Sequence, residues 1–247
     1  MSRDPLADID LAPTIDHSLL NPQANEIYVR QWCAEADRFQ FASVCVYPSQ
    51  VRLAAECLHG KRPAVSTVIG FPTGATTGSG KLYEALEAVE NGATELDVMI
   101  NLAQLKQGQT NEVYRTIAEI CEESNVRVKA IIEANLLTPE ELALAVNLCI
   151  DSGASYIMTG TGWNGGVTLE TVHQLKSLAK DQIGIKAAAG IKDMTFAIDL
   201  VVAGATRLGT SYAIAMLQQY EQEKKNQTDQ NQSRAAASDA AIDSSTQ

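Results

Sequence analysis

The sequence predicts a (β/α)8 TIM barrel followed by a disordered polar C-terminal tail, and three observations predict it. Eight short runs rich in β-branched residues, bounded by Gly, Pro or Asn, alternate with longer segments of helical periodicity, the arrangement of parallel strands joined by helical crossovers. The 247 residues suit a single α/β barrel, a fold that commonly takes about 250. The first strand–helix turn, LLNPQAN, lacks the GxGxxG that usually opens a doubly wound open sheet. Residues 11–220 are read as the barrel, 1–10 as a short N-terminal extension and 221–247 as the tail.

The strands, in order, are read as PTIDHSLL (13–20), FASVCVY (41–47), AVSTVIG (64–70), TELDVMI (94–100), VRVKAIIEA (126–134), ASYIMTG (154–160), IGIKAAA (183–189) and ATRLG (205–209). Between them the helical pattern falls on 27–39, 49–58, 80–92, 113–124, 139–153, 169–180 and 194–204, and 210–219 closes the series. Several of these segments end in Gly, as helix C-termini prefer, and Thr138-Pro139 is a helix start. From Gln218 onward the chain is rich in Gln, Asn, Ser, Ala and Asp, so it cannot offset its ordering entropy and is expected to be disordered from about Lys224.

Thirty acidic side chains against nineteen basic ones leave a net charge of −11. With no basic stretch, the chain offers no footprint for nucleic acid, and no apolar run approaches the roughly 18 residues of a membrane span. The start, MSRDPLADIDLAP, lacks the apolar core of a secretory signal. Five cysteines without a CxxC pair argue against a disulfide framework and against zinc. A cytoplasmic protein without metal or cofactor is the expectation.

Barrel interiors favour Val, Ile and Leu, so polar residues within the strands carry the information. Glu95, Asp97, Met99 and Asn101 share one face of the fourth strand, and Lys129, Ile131 and Glu133 share a face of the fifth. Lys186 interrupts the alanines of the seventh, and Asp16 lies in the first. Lysines and carboxylates converging inside a barrel make either a catalytic group or a buried ion-pair lattice tying strands together. The ends of strands seven and eight, AAAGIKD and RLGTSYA, offer an anion site: Gly190 and Gly209 for close backbone approach, Thr210 and Ser211 for hydroxyls and helix-start N–H groups, Lys192 for charge. A Ser or Thr at such a turn is otherwise a helix cap. His17, His59 and His173 have no metal-like spacing, neither GxSxG nor a P-loop occurs, and Cys45 reads as a small core residue.

IDHSLL (15–20), FASVCVYP (41–48), VIGFPTGATT (68–77), ELDVMIN (95–101), VKAIIEAN (128–135), IKAAAGIKD (185–193) and AGATRLGTS (203–211) together resemble the signatures of the deoxyribose-phosphate aldolase family, in family order and over roughly residues 10–217. The resemblance implies a barrel, usually a cytosolic homodimer, that reversibly cleaves 2-deoxy-D-ribose 5-phosphate to glyceraldehyde 3-phosphate and acetaldehyde in deoxyribonucleotide catabolism. It implies a metal-free class I mechanism in which a lysine amine forms a Schiff base with the carbonyl. Asp97 and a water would move the hydroxyl proton, and Lys186 would lower the pKa of the nucleophile beside it. Asp16, Lys129, Glu133 and Thr161 would support them, and phosphate would sit on Gly190, Lys192, Gly209, Thr210 and Ser211.

The Schiff-base lysine of that family falls on strand six, where this chain reads Tyr156-Ile157-Met158-Thr159-Gly160-Thr161-Gly162. Met158 has no N–H and cannot form an iminium. Ala189 stands where the family shows a second glycine, Lys192 where arginine is common, and Ala134 where threonine is usual; an Arg-to-Lys change at a bidentate phosphate contact is not conservative. The first reading is an aldolase-family barrel whose lyase activity is lost or strongly reduced, a pseudoenzyme reused for sugar-phosphate binding or protein interaction. The alternatives are an active aldolase with Lys186, or Lys129, as relocated nucleophile, and a different reaction. An acidic barrel repels sugar phosphates, so binding would rest on a local field from Lys186, Lys192 and helix N-termini.

Overall fold

The structure, a computed structural model, describes residues 10–222; the expected N-terminal extension and tail lie outside the described residues except at their inner ends. Eight parallel strands close in sequence order: β1 (Ile15–Leu19), β2 (Ser43–Val46), β3 (Ala64–Ile69), β4 (Glu95–Met99), β5 (Arg127–Ile131), β6 (Tyr156–Met158), β7 (Gly184–Ala188) and β8 (Arg207–Thr210), with β8 pairing back onto β1. β1 to β7 each lie inside the run expected for them, and β8 extends one residue past its run, to Thr210. Around them run α1 (Glu26–Phe39), α2 (Val51–Leu58), α3 (Gly78–Glu90), α4 (Leu102–Lys106), α5 (Thr110–Ser124), α6 (Pro139–Asp151), α7 (Leu169–Ala179) and α8 (Met194–Val202). A ninth helix, α9, starts at 213 and reaches the last described residue, 222. No described helix is long and apolar enough to cross a membrane.

The helix α4 is an addition to the expected pattern. Its five residues are too few to show a period, and it is nucleated by Asn101, whose side chain accepts the Gln104 N–H at 3.2 Å. The Thr138 start is a full capping box with Glu141. Gly92, Gly153 and Gly204, just past α3, α6 and α8, have positive φ as expected of helix stops, whereas α1, α5 and α7 end on left-handed Gln40, Asn125 and Lys180.

The two faces of the strands meet different surroundings. Outward residues such as Val44, Leu96, Val98, Val128, Ile157, Ile185 and Leu208 join the buried faces of the helices in one apolar core, where each large aliphatic side chain contributes roughly 1.5–3 kcal/mol. Inward residues build the barrel interior, and there the chemistry changes with height.

Candidate active site

Alternate residues of a strand share a face, so Glu95, Asp97 and Met99 stack upward along the interior from the N-terminal end of β4. Parallel register then sets Asp97 beside Lys129, Met99 beside Ile131, Ile131 beside Met158, and Met158 beside Lys186. The lower tier is charged and the upper one apolar.

In the charged tier, Lys186 Nζ lies 2.6 Å from Asp16 and 2.5 Å from Asp97. Lys129 Nζ lies 2.7 Å from Asp97, 2.8 Å from Glu95 and 3.7 Å from Asp16. The Arg207 guanidinium donates to Glu95 at 2.7 Å and to Asp16 at 2.9 Å. The Ser43 and Ser66 hydroxyls donate to Asp16 and Asp97 at 2.6 and 3.3 Å, and the Cys45 thiol to Asp97 at 3.6 Å. The structure thus brings Asp16, Asp97, Lys129 and Lys186 together. Glu95 and Arg207, absent from the expected site, bring the buried set to three carboxylates and three cations, and the half-exposed Arg127 adds a further cation on Glu95. The signal that would have found Arg207 is its parity: it stands two residues before Gly209, on the inward side of β8.

The pairing fixes protonation. Burial alone would raise the carboxyl pKa of Asp16, but Lys186, Lys129 and Arg207 outweigh it and hold Asp16 far below the usual carboxylate range. Asp97 is held down in the same way by Lys129 and Lys186. For Lys186 burial works against the charge, and Asp16 and Asp97 more than reverse that, so its pKa is raised; Lys129 is raised likewise. Burial, then Asp97, pushes the Cys45 thiol up to about 12, leaving it neutral.

Above this tier sit Met99, Ile131, Met158 and Ala188, packed together with Phe71 and Leu102 against them. They separate the ion pairs from the C-terminal mouth: Asp97 and Lys186 are each 1% exposed, and Met158 is 5% exposed. The local field expected from Lys186 is therefore cancelled at its source by two carboxylates.

Glu133 departs from expectation. Carrying the alternation of β5 forward placed it on one face with Lys129, but the strand ends at Ile131 and Glu133 takes a left-handed backbone, φ 48°. Its carboxylate turns to the loop after β6, accepting the backbone N–H of Thr161 and the Asn164 side-chain amide, the latter at 2.7 Å.

At the mouth lies a cleft of about 470 Å³ whose lining includes Met158, Thr161, Gly190, Gly209, Thr210 and Ser211. Four of the five residues expected at the phosphate meet there. The Thr210 hydroxyl is already engaged, donating to Ile191 O at 2.7 Å and accepting the Tyr212 N–H at 2.9 Å, so it ties β8 to the loop after β7. Lys192 stands outside the lining, its ammonium 5.3 Å from the ring centre of Tyr212, which does line the cleft. Ala189 holds φ 83°, beside Gly190 at 78°. The lining also includes Leu20, which ends the IDHSLL motif, and Ala24, Tyr28 and Trp32, which no motif marks; together they form an apolar and aromatic wall. His17 lies behind that wall, buried, with Nε2 2.8 Å from Glu35 and its ring stacked on Trp32; His59 and His173 are exposed.

A family model described as DeoC/LacD family aldolase matches residues 11–222. The chain is 58% identical over 218 residues to the deoxyribose-phosphate aldolase of Trichormus variabilis, covering 88% of this chain and 96% of that one. It is 42% identical over 212 residues to the enzyme of the same name from a Geobacillus species, covering 85% and 95%. Among solved structures it is similar to deoxyribose phosphate aldolase from Aeropyrum pernix, described as a unique tetramer, with TM-score 0.81, 34% identity and coverage of 85% and 91%. An aldolase designated QR15 gives TM-score 0.83, 38% identity and coverage of 87% and 98%.

Proposed function

The chain belongs to the DeoC/LacD aldolase family, and on that premise we propose that it keeps a sugar-phosphate cleft while cleavage of 2-deoxy-D-ribose 5-phosphate is lost or strongly reduced. The observation that carries this reading is Met158 in the cleft floor, held in an apolar cluster with Met99, Ile131 and Ala188. Schiff-base chemistry needs an unprotonated amine that reaches the carbonyl, and a thioether supplies none.

Lys186 is the register partner of Met158, which favours it as a relocated nucleophile. Against that role stand its two carboxylate contacts at 2.6 and 2.5 Å, its raised pKa and its burial. An ammonium has no lone pair to attack with, and freeing it would break two buried ion pairs. Lys129 sits in the same tier with three carboxylates around it. Asp97, bonded to both lysines, serves in this reading as part of the lattice rather than as a proton shuttle. Phosphate would rest on the backbone at Gly190 and Gly209 and on Ser211.

Borohydride reduction in the presence of acetaldehyde or 2-deoxyribose 5-phosphate, followed by peptide mapping, tests the proposal. We expect no reduced adduct on Lys186 or Lys129; an adduct on either, with turnover, overturns it. Likeness to the family also supports a cytoplasmic homodimer, which light scattering on the full chain checks for oligomeric state.

A further inference from the structure

We propose that the wall formed by Tyr28 and Trp32 is a subsite for a planar aromatic group, which makes the ligand class of this cleft a nucleoside 5′-monophosphate rather than a free sugar phosphate. The inference rests on the phosphate reading of the rim. The cleft lining has two unlike parts: Gly190, Gly209 and Ser211 present backbone and a hydroxyl, while Leu20, Tyr28 and Trp32, from the unit of β1 that pairs with β8, add apolar and aromatic surface. Its volume of about 470 Å³ falls within the roughly 300–1,000 Å³ of clefts that take drug-sized ligands, and a five-carbon phosphate held at the rim leaves the aromatic wall bare.

That wall is pre-organised. Trp32 is braced from behind by His17, whose ring lies nearly parallel at 5.1 Å and 9°, and His17 is itself held by Glu35. Tyr28 meets Trp32 edge-on at 6.3 Å and is still 47% exposed. A ring entering between Tyr28 and the rim thus finds a fixed apolar surface and costs the protein little ordering. The floor agrees. With a thioether at 158 the site makes no demand for a free aldehyde, so C1 of the sugar can carry a base through a glycosidic bond, and sulfur is a favourable neighbour for an aromatic edge.

Isothermal titration calorimetry of the full chain with thymidine 5′-monophosphate, 2-deoxyribose 5-phosphate, thymidine and inorganic phosphate tests this. The nucleotide is expected to bind at least about tenfold tighter than the sugar phosphate. Tyr28→Ala should remove most of that advantage, and Ser211→Glu should weaken both phosphate esters together. Equal affinity for the two esters overturns the aromatic subsite and leaves the phosphate reading standing. Thymidine binding as tightly as its monophosphate overturns the nucleotide class. Binding of neither ester overturns the subsite and the phosphate reading alike.

Discussion

Met158 and Lys186 are register partners on neighbouring strands, yet their side chains end in different tiers: the thioether among Met99, Ile131 and Ala188, the ammonium between Asp16 and Asp97. Neighbouring strands lie about 4.8 Å apart, so an amine placed at 158 would stand beside a cation without sharing its counter-ions.

Met158→Lys is therefore expected to create a nucleophile. Burial in the apolar tier would push the new amine below its ordinary pKa. We expect a borohydride-trapped adduct at 158 with acetaldehyde and measurable cleavage of 2-deoxyribose 5-phosphate, at a stability cost of about 1–3 kcal/mol. A folded variant with no adduct would show that the changes at Ala189 and Lys192 matter as much as the missing lysine.

Asp16 accepts from Ser43 and Arg207 and pairs with Lys186. Asp16→Asn leaves the cations of that tier in excess, and breaking one partner of a buried pair costs about 3–5 kcal/mol. Urea denaturation should show a loss of that order; a change below about 1 kcal/mol, the range of exposed pairs, would mean that water reaches the tier.

Lys81 is a second kind of buried lysine. Its Nζ donates to Met99 O at 2.7 Å, and burial brings its pKa from 10.5 down to about 8, with Glu84 pulling weakly the other way. Below pH 8 the folded state carries a buried ammonium; between that value and 10.5 the unfolded chain binds more protons, so stability rises with pH. Relative to Lys81→Met, the parent should gain roughly 2 kcal/mol between pH 7.5 and 10. Parallel stability curves for the two proteins would refute it.

Ala189 holds φ 83°, a region that costs an L-residue roughly 1–2 kcal/mol. Ala189→Gly removes that strain and adds back some unfolded-chain entropy, for a net gain of roughly 0.5–1 kcal/mol. The midpoint of denaturation should rise with an unchanged slope; a fall would mean that the methyl group packs better than its backbone suffers.

The eight strands were legible because β-branched runs and punctuating glycines recur, and Asp16, Asp97, Lys129 and Lys186 because polar residues inside such runs stand out. Glu133 was misplaced because alternation was carried two residues beyond the point where the backbone turns left-handed. The apolar tier over the ion pairs was illegible, since Met99, Ile131 and Ala188 are ordinary barrel residues one by one. Tyr28 and Trp32 were missed for a related reason: helical periodicity says which face of α1 is covered, not what stands across from it.

The three carboxylates and three cations inside the barrel sum to zero, so the net −11 of the chain arises wholly from residues outside that tier. A phosphate ester arriving at the mouth meets this charge at long range. Raising ionic strength shortens the Debye length from about 30 Å at 0.01 M to about 8 Å at 0.15 M, so the association rate should climb with salt, the reverse of a site that steers anions inward. On the proposed reading, capture would be governed by short-range fit at the rim, and the bulk electrolyte would set how often a ligand reaches it.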